Sequence, residues 1–180
     1  MSGRYILAMA SNEYCASCDY RWSAASAEVI PKRLSDATAS FVQVVNEAGP
    51  LAPVRPTSDR WSILEYGSHL RDVLISIRDR IIAASIQEQA TGAPIYRDER
   101  VDLGFYKLDT PEDVMNELVA ASNLFVRTVE ALPPGYERRT FLYSPVTPVR
   151  VTILWAGAQA LHECLHHLND VKENLILLAD

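Results

Sequence analysis

The chain has 180 residues, 48% of them hydrophobic, with 7 Gly, 3 Cys and a formal charge of −6, which suits one ordered domain and excludes a disordered or low-complexity chain. The acidic balance, with Lys and Arg scattered between acids, excludes the phosphate-binding footprint of a nucleic-acid partner, and no apolar run approaches the roughly 18 residues that a membrane span requires. With no secretory pattern at the N-terminus, and an odd number of cysteines in a chain too large to need stapling, the expectation is a cytoplasmic protein without an obligatory disulfide.

Residues 1–25 have no sustained period; Tyr5-Ile6-Leu7-Ala8 and Cys15-Ala16-Ser17-Cys18-Asp19-Tyr20 read as an arm packed on the domain that follows, 26–180. From Ser26, an N-cap with Glu28 in the first turn, apolar residues recur at Ile30, Leu34, Ala37, Phe41, Val44, Val45 and Ala48 until Gly49-Pro50 stops them, which predicts a first helix. A Pro-rich connection through Pro50, Pro53 and Pro56 leads to Ser62-Ile63-Leu64-Glu65, a capping box in which the Ser hydroxyl and Glu carboxylate satisfy backbone donors of the first turn. The second helix begins there, with a seam of Ile63, Tyr66, Leu70, Val73, Leu74, Ile77, Ile81 and Ala84. His69 falls roughly 100° from the seam centre, at the border of the buried face.

Residues from about 90 to 108 carry Thr91-Gly92-Ala93-Pro94 and Arg97-Asp98-Glu99-Arg100 without a period and read as a long crossing connection. Thr110-Pro111-Glu112-Asp113 places a cap, a Pro at the first helical position and acids at the positive end of the helix dipole. A third helix follows through Val114, Leu118, Ala121, Phe125 and Val129, and ends before Pro133-Pro134-Gly135. Residues 136–146 read as a hairpin or loop. Thr147-Pro148 repeats the start signal, and Val151, Leu154, Ala158, Leu161, Leu165 and Leu168 mark a fourth helix. Four amphipathic helices with two long connections predict an all-α protein, a four-helix bundle, where metal sites are built from side chains of facing helices.

The chain has 4 His: His69 on the second helix, and His162, His166 and His167 on the fourth. Donors four residues apart share a helix face, so the fourth helix offers two pairs, His162 with His166 and Glu163 with His167. Either pair with His69 supplies the three donors of a catalytic zinc-type centre with one position open. The two pairs flank the leucine seam on opposite sides, and wheel geometry does not choose between them. Asp170, three residues after His167, reads as an outer group or proton acceptor, or as a solvated acid; Asp72, three after His69, has the same two readings.

Trp61-Ser62, Glu65 and His69-Leu70-Arg71-Asp72-Val73, taken with His162-Glu163, His166-His167 and Asp170-Val171, resemble the DinB-like superfamily, which includes mycothiol-dependent maleylpyruvate isomerases and bacillithiol transferases. The resemblance covers about residues 26–178. It implies a four-helix bundle, often dimeric, with a divalent metal held by a His of the second helix and two ligands four apart on the fourth. Registering the motif on Asp170 matches His69, Glu163 and His167 to the ligand positions, as in the isomerase branch. The presence of His162 and His166 also allows the three-histidine pattern of other members, His69 with His162 and His166.

The activity that the resemblance implies is thiol transfer or isomerisation: an ion activates a low-molecular-weight thiol such as mycothiol, or a water, toward a small electrophile. Asp170 or His166 then moves protons, His166 being the better base because imidazole titrates near neutrality. Mixed N and O donors suit zinc, nickel, iron and other ions alike, and zinc is the first expectation, with nickel or iron as alternatives. The contrasting reading is a non-catalytic metal-containing bundle, stress-associated or ligand-binding.

Cys15 and Cys18 permit three readings: half of a Cys2His2 structural zinc site whose other half is the pair His162 and His166, a redox pair, or two incidental thiols. Cys164 reads as a buried apolar residue. Trp22, Trp61 and Trp155 read as core packing, Arg97 and Arg100 as a solvated charge run, and Tyr96, Phe105 and Tyr106 are assigned no role. No phosphate loop, nucleophile elbow or dinucleotide fingerprint is present.

Overall fold

The computed structural model describes residues 14–144 and 149–179. Four long helices, α1 (Val29–Ala48), α2 (Ile63–Ile86), α4 (Pro111–Glu130) and α5 (Ile153–Ala179), form the bundle, with a short α3 (Arg97–Asp102) and a hairpin of β1 (Thr140–Leu142) and β2 (Arg150–Thr152). α1 packs against α4 and α5, and so does α2, whereas α1 and α2 touch only slightly. The helices therefore run around the bundle in the order α1, α4, α2, α5. The connection from α1 to α2 and that from α4 to α5 each cross a diagonal, which accounts for their length, and α2 and α5 become neighbours although more than half of the chain's length separates His69 from His167.

The predicted seams are the buried faces. In α1, Ile30, Leu34, Ala37, Phe41, Val44, Val45 and Ala48 are buried, and Gly49 ends the helix at φ 52°, a conformation that suits a residue without Cβ. The predicted start is corrected by two residues: the N-cap is Glu28 and α1 begins at Val29, and the Ser26 hydroxyl donates to Glu28 at 2.8 Å instead of capping the helix. The capping box of α2 forms as read, with Glu65 N–H donating to Ser62 Oγ at 3.1 Å and Ser62 N–H to Glu65 Oε2 at 2.7 Å. α4 has the same device, with Asp113 as the reciprocal partner of Thr110.

α2 approaches α4 closely at Gly67, where a Cβ would collide with Val114 Cγ1 and stand 3.1 Å from Phe41. That close approach fixes the helix two residues before His69. The long crossing connection, which has no period in sequence, contains α3. Two of its side chains are engaged by α2: Asp72 accepts from Tyr106 at 2.9 Å and pairs with Arg100, which corrects the reading of Arg100 as solvated, and Asp72 also accepts from Arg71 at 2.9 Å. Asp72 thus ties α3 and its loop to α2 and makes no hydrogen bond to the His69 ring, while Arg97, Tyr96 and Phe105 are exposed.

The start of the last helix is also corrected. α5 begins at Ile153, after β2, so Val151 lies in a strand opposite Phe141 and not on a helical seam. Thr152 supplies the cap, its Oγ1 accepting from Trp155 N–H at 3.0 Å. The start signal at Thr147-Pro148 lies outside the described residues, as does Tyr5-Ile6-Leu7-Ala8.

Of the predicted arm, residues 14–25 are described and pack on the bundle. Tyr20 and Trp22 are buried, the Tyr20 hydroxyl donates to the Ala158 carbonyl at 2.8 Å, and Trp22 Nε1 donates to Gln159 Oε1 at 3.0 Å. No helix among the described residues is long and apolar enough to cross a membrane.

Candidate metal centre

His69 on α2 lies opposite Glu163 and His167 on α5. His69 Nε2 stands 3.6 Å from Glu163 Oε2, and His167 Nε2 stands 3.3 Å from the same oxygen. All three donor atoms lie within 4.8 Å of one another. Four-coordinate zinc, with bonds of about 2.0–2.2 Å, sets donor-to-donor edges of roughly 3.3–3.6 Å. The three residues are thus arranged as the base of such a centre.

The burial of His69 is the informative departure from the sequence pattern. It is 2% exposed rather than at the border of a face, because α5 and Trp61, whose ring centroid is 5.3 Å from the imidazole, cover it. Neither ring nitrogen has a hydrogen-bond partner. Leaving a buried polar atom unpaired costs about 1–3 kcal/mol, and an ion bound at Nε2 removes the penalty at that atom. The donors therefore fit a divalent ion.

Around these donors lies a second layer that fixes their orientation. His167 Nδ1 is 2.7 Å from Asp170 Oδ2, so with the proton on Nδ1 the lone pair on Nε2 faces Glu163 and His69. Gln159 Nε2 donates to Glu163 Oε1 at 2.7 Å, and Gln159 itself accepts from Trp22. The arm thereby reaches the carboxylate through one side chain. Tyr66 packs 5.0 Å from the His167 ring. On the α2 side, Asn174 donates to the Trp61 carbonyl at 2.7 Å and accepts from Arg60 Nε at 2.8 Å, which fixes the entry to α2 against the end of α5.

The electrostatics follow from this crowding. Burial opposes the charge on Glu163, but the imidazoles of His167 and His69 hold its carboxyl well below the ordinary carboxylate range. Burial favours neutral His167, yet Asp170 and Glu163 on its two sides raise its pKa. Asp170 is lowered, its burial being outweighed by the bond to His167. Cys164 is buried in the core, which pushes its thiol up to about 12.

The alternative ligand set is not brought together. His162 and His166 lie on the other side of the seam, grouped with Cys15 and Cys18. His166 Nδ1 is 3.6 Å from Cys15 Sγ, and its Nε2 is 3.8 Å from Asp170 Oδ2. Gln159 and Asn174 were missed by sequence reasoning, as was the place of Trp22 and Tyr66 beside the histidines. Only Gln159 carried a local signal, standing four residues before Glu163 on the same helix face. Trp22, read as core, is buried in the core and also packs on His162, while Trp61 covers His69.

These observations define a class: a four-helix bundle with three mixed donors between its second and last long helices. The DinB superfamily model matches residues 19–171, and the chain belongs to that superfamily. Among solved structures it is similar to YfiT from Bacillus subtilis, described as "a probable metal-dependent hydrolase with an unusual four-helix bundle topology". The TM-score is 0.77 at 17% identity, over 85% of this chain and 87% of that one, a likeness of fold. No curated protein matches the chain.

Proposed function

We propose that the chain is a metal-dependent enzyme in which His69, Glu163 and His167 hold one divalent ion, zinc before nickel or iron, and that it acts on a small electrophile with a low-molecular-weight thiol of the mycothiol type. The observation that carries this reading is the buried, unpartnered imidazole of His69 facing the Glu163 carboxylate. An ion with three protein donors supplies an open position that lowers the pKa of a thiol or water near neutrality. Membership of the superfamily and the description of YfiT support metal dependence; the thiol rests on the resemblance of the paired motifs.

The chain's own residues supply the rest. Asp170 is a positioning residue, holding His167 in the tautomer that presents Nε2. Gln159 holds Glu163 by one oxygen and leaves the other free for the ion. Trp61 and Tyr66 exclude water from one side of the imidazoles and strengthen the electrostatics within. Of the two groups expected to move protons, Asp170 already accepts from His167, and His166 faces Cys15.

The test is a thiol-transfer assay against model electrophiles, run beside ester and amide hydrolysis, on protein loaded with zinc or nickel. Thiol-dependent turnover that disappears with a chelator and with His69→Ala is the expected result. Hydrolysis without any thiol requirement overturns the substrate class, and a bound ion with no turnover on either set overturns catalysis in favour of a binding bundle.

A further inference from the structure

We propose that Cys15, Cys18, His162 and His166 form a second, closed zinc site that rivets the N-terminal arm to α5. It shares no donor with the first site and stands whatever reaction that site performs. The four donor atoms, contributed by the turn at Cys15–Cys18 and by one face of α5, all lie within 4.8 Å of one another. Cys15 Sγ and His166 Nδ1, 151 residues apart in the chain, are separated by 3.6 Å. With Zn–S near 2.3 Å and Zn–N near 2.0–2.1 Å, a tetrahedral site sets that edge at roughly 3.6 Å.

A second observation points to a ligand. His162 lies between Trp22, with ring centroids 4.4 Å apart, and Tyr20, at 5.4 Å, and both its ring nitrogens are buried without a hydrogen-bond partner. As with His69, the chain has placed an imidazole where a bound ion would satisfy a buried nitrogen. The turn is built to present both thiols: Cys15 N–H donates to the Tyr20 carbonyl at 2.8 Å, and Asp19, at φ 53°, reverses the chain just after Cys18. The spacings, two residues between the cysteines and three between the histidines, fall within those of Cys2His2 zinc sites.

The other readings of the pair account for less. A redox CxxC draws its reactivity from a helix N-terminus or neighbouring cations, whereas this pair sits in a bridged turn against two histidines. Incidental thiols leave His162 unexplained. The superfamily match begins at residue 19, after both cysteines, so the match takes in His162 and His166 but not the thiol pair.

Four protein donors fill a tetrahedron and leave no open position, so the role is structural. Cys15 and Cys18 bind as thiolates and release their protons to solvent. Asp170, 3.8 Å from His166 Nε2 and 2.7 Å from His167 Nδ1, backs one ligand of each site. As a ligand, His166 cannot also serve as the base for the first site.

The experiment is cobalt substitution and zinc analysis of the full chain. The first site holds no thiolate and Cys164 is buried in the core, so a thiolate-to-cobalt charge-transfer band reports the second site alone. The expected result is two equivalents per chain with that band present. Cys15→Ser with Cys18→Ser removes the band and one equivalent, and His69→Ala removes the other equivalent and spares the band. If the double variant does not fold, zinc-loaded wild-type protein treated with an organomercurial is expected to release one equivalent. A maximum of one equivalent without the band, or no zinc release on thiol modification, overturns the proposal.

Discussion

The two faces of α5 carry donors at the same four-residue spacing and meet different partners. Glu163 and His167 turn toward α2 and meet one imidazole, giving three donors of N and O type between two rigid helices. His162 and His166 turn toward the arm and meet two thiols, giving four donors, two of them soft. One arrangement leaves a coordination position and the other fills it. Identical spacing on one helix therefore does not fix chemistry; what the neighbouring element brings decides between an activating ion and a stapling one.

The largest expected effect separates the faces outright. His69→Ala, or Glu163→Gln, should lose one metal equivalent and all metal-dependent turnover while the arm stays fixed. Replacing both arm cysteines should keep turnover within the same order and lower the melting temperature, by roughly 2–4 °C for each kcal/mol of stability lost in a domain of this size. Parallel loss of both ions in either variant would mean one coupled site, and the comparison would fail.

Asp170→Asn should come next. It keeps shape but removes the charge behind His167, and such outer partners typically weaken metal affinity or activity about 10–100-fold. Competition with a chelator measures it. Gly67→Ala should follow, because a Cβ there meets Val114 and Phe41 and pushes α2 from α4. Overpacking of this kind costs about 1–3 kcal/mol. Denaturant unfolding gives that number, and the same variant should weaken the first site while leaving the thiolate–cobalt band intact.

The smallest effect is the pH dependence of the first face, read in the variant without the two arm cysteines, because ion binding by those thiols releases protons of its own. The pKa of His167 is raised by Asp170 and Glu163 against the pull of burial. In ion-free protein its contribution to stability is then fully present below its unfolded value, about 6.5, and is lost as pH rises through the folded value. Ion binding needs the neutral imidazole, so affinity rises over the same interval. The gap in melting temperature between loaded and ion-free protein should widen from acid to mildly alkaline pH, and a constant gap would contradict the placement of His167.

Much of this was legible in the chain. The capping box at Ser62 and Glu65, the Thr110-Pro111 start and the apolar seams of α1, α2 and α4 are local features whose physics acts within a turn or two, and they stand where the spacing put them. The start of α5 misled because Val151 fits a helical seam and an inward strand position equally well; only pairing with Phe141, ten residues away, decides it. The depth of His69 was hidden for a related reason. A helix wheel describes one face, but α2 packs against both α4 and α5, and Trp61 closes the remaining arc. The diagonal order of the helices, which lets His69 face Glu163, follows from packing among distant segments and leaves no trace in periodicity.

The most direct test is an anomalous difference map from crystals of metal-loaded protein, collected at the edge of the bound ion. A peak about 2.0–2.2 Å from His69 Nε2, Glu163 Oε2 and His167 Nε2 is the expected result. A map with no density among these three atoms, or one in which the ion joins His69 to His162 and His166, contradicts the account.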